Sequence, residues 1–153
     1  MTKRPPVVET FEPADRKAWR AWLRQHHASR PGIWLVYTKG AGRNVTYAAA
    51  VEEALCFGWV DSRPNLIDAT RYKQLFSPRQ PTSAWSKINK ERVARLIEAG
   101  LMTAAGLAKI EAARANGSWN HLDAVEELEM PADFARALQQ NPAARKNFEA
   151  FSR

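Results

Sequence analysis

The chain has 153 residues, 45% of them hydrophobic and 25% charged, a globular composition rather than a disordered one. The length suits one domain that buries roughly 70% of the surface its unfolded chain exposes. No apolar run approaches the ~18 residues of a membrane span, and residues 1–6 lack the apolar stretch of a signal peptide, so a cytoplasmic protein with no membrane span is expected. The single cysteine, Cys56, excludes an internal disulfide framework and an all-cysteine zinc site, and the net charge of +7 is spread as +4 over residues 1–30, zero over 31–60, +5 over 61–95 and −2 over 96–153. The basic stretches would attract phosphates, carboxylates, nucleic acid or an acidic surface; the same charge also serves as a solvated, solubilising face.

Residues 1–10 read as a flexible arm, because Pro5 and Pro6 oppose helix. Residues 13–26 suit a helix with Ala18, Trp19, Trp22 and Leu23 on one face. Pro31-Gly32 marks a turn into a short strand over 33–37, which Gly40-Ala41-Gly42 ends. Thr46 caps a helix whose apolar face is Tyr47, Val51, Ala54 and Leu55 and which stops at Gly58. Two strands are expected over 59–67 and 71–76, with Pro64 pointing to a bulge or an edge. Ser86 caps a helix running to Ala99, with Gly100 as its stop; Thr103 caps another that ends near Gly117. A hinge over 120–132 and two short helices, near 132–140 and 143–151, complete the chain. The class is α+β: a small antiparallel sheet of about three strands packed with several helices, a helical C-terminal half, and a single domain over 11–153 with a helical tail from about residue 120.

Polar and aromatic side chains are dense over 57–89. Period-two alternation puts Asp61, Arg63 and Asn65 on one face of the first strand, and Arg71 and Lys73 on one face of the second. Asp61 can then neutralise an arginine across the pair, which equally describes cross-strand ion pairs on a solvated sheet. Arg79, Ser83, Ser86 and Lys87 surround an expected helix start. Backbone amides, hydroxyls and a guanidinium are the parts of an anion site, with Trp85 as a stacking face and Asn89 alongside. Plain N-capping by Ser86 over a core Trp85 is the alternative. The candidate ligand-binding residues are Trp59, Asp61, Ser62, Arg63, Arg71, Arg79, Ser83, Trp85, Ser86 and Asn89.

Other chemistry is weaker. Cys56, between Leu55 and Phe57, suits a small core residue. His26 and His27 are adjacent and point about 100° apart on a helix, which does not suit a shared metal. His26 near a helix end complements the dipole instead. Of six tryptophans, Trp19, Trp22 and Trp34 fit core positions, while Trp59, Trp85 and Trp119 adjoin polar residues. Gly40-Ala-Gly42-Arg43 lacks the lysine–serine pair of a phosphate loop and reads as a turn. No metal and no cofactor is expected.

The runs Glu53-Ala-Leu-Cys-Phe-Gly-Trp-Val-Asp-Ser, Phe76-Ser-Pro-Arg, Ser83-Ala-Trp-Ser-Lys-Ile-Asn, Gly100-Leu-Met, Gly106-Leu-Ala-Lys-Ile-Glu-Ala-Ala-Arg and Gly117-Ser-Trp resemble the YdeI/OmpD-associated, or bacteriocin-protection, family from about Phe11 onward. The resemblance implies a bacterial protein linked to tolerance of cationic antimicrobial peptides, with no settled reaction, cofactor or catalytic residue. Members continue past a Leu-Ser-x-x-Arg-like segment into a basic helical region; here the chain ends at Phe148-Glu-Ala-Phe-Ser-Arg153, so that region is expected to be lacking. A net charge of +7 also repels cationic peptides, which favours an indirect route to tolerance.

Three functions follow. In the first, Arg79 and the helix start hold a small anionic ligand, and Asp61 acts as acid or base or orients an arginine, with the enzyme question open. In the second, basic and aromatic residues between Arg63 and Arg95 bind single-stranded nucleic acid, although no known basic motif is present. In the third, the acidic, helical residues 123–153 offer a surface to a protein partner in a stress-resistance pathway.

Overall fold

The computed structural model describes residues 8–151. Strand β1 (Thr10–Phe11) leads into helix α1 (Arg16–His26), strand β2 (Ile33–Thr38), helix α2 (Tyr47–Cys56) and the strands β3 (Trp59–Leu66) and β4 (Arg71–Pro78). Five helices follow: α3 (Lys87–Glu98), α4 (Ala104–Asn116), α5 (Asp123–Glu126), α6 (Ala132–Gln140) and α7 (Pro142–Glu149). The class is α+β and the C-terminal part is helical, as the sequence implies. Among the described residues no helix is long and apolar enough to cross a membrane.

Local chemistry explains most boundaries. Asp15 caps α1 by accepting from the Ala18 amide at 2.8 Å. Thr46, Ser86 and Thr103 cap α2, α3 and α4 in the same way. Gly58, Gly100 and Gly117 follow helix ends with φ of +74°, +70° and +85°, a region that favours glycine. Gly40–Gly42 forms one short 3-10 turn.

The sheet order is β1-β2-β4-β3. The three longer strands pair antiparallel, as expected, and β1 adds a fourth, parallel edge through Thr10↔Trp34 and Phe11↔Leu35. Residues 1–7 of the expected N-terminal arm lie outside the described residues, but Thr10 belongs to the sheet. Ile33, Leu35, Tyr37 and Phe76 face α1 and α2, where Trp19 packs on Phe76 with centroids 5.4 Å apart. The opposite face carries Trp34 under the Lys73 ammonium. Trp19 is fully buried, whereas Trp22 and Trp34 are half-buried; Trp59 and Trp85 are core residues. Cys56 is also buried, and its thiol is pushed up by burial.

Two close approaches lock the helices. Glu53, 4% exposed, accepts from Arg16 Nε and Arg20 Nη1 at 2.6 Å each, joining α2 to α1. Gly106 lies against the Cys56 carbonyl, with room for no Cβ. Thr103 donates to the same carbonyl through its hydroxyl at 2.6 Å.

Candidate anion site beside the bulge of β3

Pro64 marks a bulge, as its place in a strand suggests. Asp61 pairs with Phe76 and Pro64 with Gln74, so β3 takes three steps where β4 takes two. The extra residue reverses the alternation. Asp61 and Asn65 therefore sit on opposite faces, not on one, and Asp61 meets no arginine across the pair. It meets Gln74 instead: its Oδ2 accepts from Gln74 Nε2 at 2.8 Å and from the Tyr47 hydroxyl at 2.9 Å. Gln74, 5% exposed, accepts in turn from the Tyr37 hydroxyl at 3.4 Å. Burial, then the Asp61 hydrogen bond, holds the Tyr47 phenol above its ordinary pKa, with Arg92 opposing. Burial raises Tyr37 much further. Both phenols are therefore donors at neutral pH, not bases.

Arg79 follows the end of β4. Its backbone is pinned, with its amide donating to Gly58 O at 2.9 Å and its carbonyl accepting from Lys109 Nζ at 2.9 Å. The residue is 3% exposed; its guanidinium lies 3.9 Å over the Trp85 ring and donates from Nη1 to Ala84 O at 3.0 Å. No carboxylate among the described residues forms an ion pair with it. Arg79 Nε and Trp85 Nε1 are both buried without a hydrogen-bond partner among the described residues. Burial lowers Arg79 to about 10, and the charge of Asp61 opposes that fall. Arg92, on α3, is half-buried and also lacks an ion pair among the described residues; its Nη1 donates to Asn89 Oδ1 at 2.9 Å.

The expected helix-start cradle is partly filled from within. Ser86 caps the Asn89 amide at 3.3 Å, and the Lys87 amide donates to both oxygens of Glu126, at 2.7 and 3.0 Å. The Lys90–Asp123 pair holds the same helix, α5, in place. The positive end of α3 thus attracts a carboxylate from the chain itself.

The other candidates divide. Trp59 is core, with Nε1 donating to His27 O at 3.2 Å. Ser62 and Arg63 are exposed, and the Ser62 hydroxyl reaches Leu75 O at 3.4 Å. Arg71 is held at the far end of β4 by Asp68 at 2.9 Å and Glu12 at 3.8 Å. Ser83 sits half-buried in the loop before α3. The structure groups Asp61 with Gln74 and Tyr47, and Arg79 with Trp85, while Ser86 and Asn89 sit at the start of α3 and Arg92 about one turn further on, bonded to Asn89. Tyr47, Gln74 and Arg92 were not expected. Tyr47 reads as part of an apolar helix face, yet it is the first helical residue and 42% exposed.

The family model of a domain of unknown function, DUF8412, matches residues 11–109, which include this whole cluster. The chain belongs to the DUF8412 family. A second model, described as bacteriocin-protection, YdeI or OmpD-associated, matches residues 127–153. That likeness therefore lies in the C-terminal helices, whereas most of the motifs quoted for it fall within the DUF8412 region. No curated protein and no solved structure matches the chain. In this DUF8412 chain, the segment similar to the bacteriocin-protection family contains α6 and α7, which meet through Phe134 and Phe148 at 5.2 Å. With α5 they line an apolar groove of about 800 Å³, where Val125, Leu128, Met130 and Phe151 are exposed.

Proposed function

We propose that the chain binds a small carboxylate or phosphate at Arg79 and Arg92, beside the Tyr47–Asp61–Gln74 network. The observation that carries this reading is the Arg79 guanidinium: buried and, among the described residues, without an ion pair and with Nε unpartnered. A buried charge is ordinarily paired, and an unmade hydrogen bond at a buried donor is costly. An anion would supply both partners. Arg92 adds a second positive charge. Trp85 holds the guanidinium plane from one side.

The test is thermal unfolding of wild type and Arg92→Gln with inorganic phosphate, acetate or a short single-stranded oligonucleotide. Phosphate or acetate near 100 times its Kd should raise the wild-type Tm by roughly 5–10 °C and the variant's by much less. Equal shifts in both proteins would remove Arg92 from the site. Stabilisation by the oligonucleotide alone would move the reading to nucleic acid.

A second reading, a protein-interaction role in tolerance of bacteriocins or cationic antimicrobial peptides, is supported by the apolar groove in the segment similar to that family. The charged lining of the groove is Glu129, Arg145 and Glu149; the last two pair at 2.7 Å, which leaves Glu129 as its uncompensated charge among the described residues, opposite in sign to the net +7. Such a groove suits a cationic amphipathic helix, its apolar face inward. A cationic amphipathic model peptide should bind wild type and lose affinity for Phe134→Asp. Equal binding to both would end this reading.

A further inference from the structure

A second cavity, of about 510 Å³, lies apart from the Asp61 network, between the loop after α1, the α2–β3 turn, Pro78 and α4. Three of its lining residues carry basic side chains, His27, Arg30 and Lys109, and none is acidic. Lys109 uses one of its three donors on Arg79 O and has no ion pair among the described residues. The turn beneath it requires glycine: Gly58 has φ +74°, and a Cβ there would meet Lys109 Cγ at 2.6 Å. Glycine thus lets the lysine stem lie across the turn. Among the described residues Arg30 pairs with Glu9 alone, at 3.4 Å, in an exposed pair of the kind that contributes little and is easily exchanged. His27 Nδ1 is 2.9 Å from Leu23 O, so that nitrogen is the donor and Nε2 is the ring's remaining polar atom.

Apart from Ser29, the remaining side chains of the wall are apolar or aromatic. Phe57 and Trp59 are buried, and the one polar atom of the Trp59 side chain is spent on His27 O. Pro31 and Pro78 add to this apolar lining. Cations at the edge and aromatic carbon beneath are the two halves of recognition for a ring that bears an anion. We infer that this cavity binds a small aromatic phosphate or carboxylate, its anionic group on Lys109 and Arg30 and its ring against Phe57, Trp59 and the two prolines. The inference is independent of the Arg79–Arg92 site.

The probe is phenyl phosphate, followed by calorimetry and by amide NMR of wild type, Lys109→Gln, Arg30→Gln and Arg92→Gln. Phenyl phosphate should move the Gly58 and Lys109 amides and bind more tightly than inorganic phosphate to this cavity. Loss of one charge-assisted contact should weaken it about tenfold in Lys109→Gln, and Arg30→Gln should weaken it in the same direction. Arg92→Gln should leave those amide shifts unchanged, which separates this site from the one proposed above. Unmoved Gly58 and Lys109 amides would overturn the inference, as would wild-type affinity in folded Lys109→Gln. If Lys109→Gln does not fold, the exposed Arg30→Gln decides: wild-type affinity there refutes the assignment.

Discussion

Replacing Arg79 with methionine separates a ligand-binding arginine from a structural one. The fall of its pKa from 12.5 to about 10 corresponds to about 3 kcal/mol by which burial disfavours the charged form. The sign follows from the direction: the folded state holds this proton less tightly than the unfolded chain. The cost is therefore fully in force at neutral pH and fades as pH rises through about 10 toward 12.5. Against it stand one charge-assisted hydrogen bond to Ala84 O, worth about 1.5–3 kcal/mol, and the stack on Trp85, worth roughly 1–2 kcal/mol. The opposing contributions nearly cancel. Methionine keeps most of the stem packing and removes the unpartnered Nε. Arg79→Met should therefore lie within about 1 kcal/mol of wild type by urea denaturation at pH 7, while losing stabilisation by phosphate or acetate. A loss above about 3 kcal/mol without any ligand would refute the reasoning, because the guanidinium would then be a strut for the 79–86 loop.

Other contacts make separate predictions. Glu53→Ala removes the carboxylate that joins Arg16 and Arg20, whose side chains are 41% and 23% exposed and can rehydrate. Urea denaturation should show a loss of about 2–3 kcal/mol, less than for a fully buried pair, and a loss under ~0.5 kcal/mol would deny the bridge its role. Gly106→Ala places a Cβ 2.8 Å from the Cys56 carbonyl carbon and 2.7 Å from Met102 Cε, so it should cost roughly 2–4 kcal/mol or prevent folding; a wild-type melting curve would contradict the packing of α4 on α2. Asp68 is held at about 2 by the Thr70 amide, and by Arg71 and the Thr70 hydroxyl. A lowered carboxylate stabilises above its unfolded pKa and loses that contribution as pH falls through the folded one. The Thr70 and Arg71 amide shifts should accordingly titrate near pH 2, and a midpoint near 3.8 would mean the turn is not so held.

Much of the fold was legible because its determinants are local. Thr46, Ser86 and Thr103 announce their helices, Gly58, Gly100 and Gly117 end them, and Pro64 marks the bulge. Strand β1 was not legible: two residues have no period, and their pairing depends on Trp34 and Leu35 more than twenty positions away. The bulge was expected but its consequence was not. A single inserted residue reverses which face Asp61 occupies, so the arginine expected across the strand is replaced by Gln74. Arg79 reads as an anion-binding residue near a stacking Trp85, but its burial and its place on that ring come only from the tertiary fold. Likewise, the anion attracted to the start of α3 comes from Glu126, 39 residues further along the chain.

The central claim concerns one atom pair, the unpartnered Nε–H of Arg79, and that group is directly visible in nitrogen–proton correlation spectra. Its signal can be assigned by its absence in Arg79→Met and followed while inorganic phosphate or acetate is added at constant ionic strength. The account predicts a saturable shift of the Arg79 Nε–H, larger than that of exposed arginines such as Arg63, together with a shift of Arg92. An Arg79 signal that stays fixed while exposed arginines drift uniformly would contradict it.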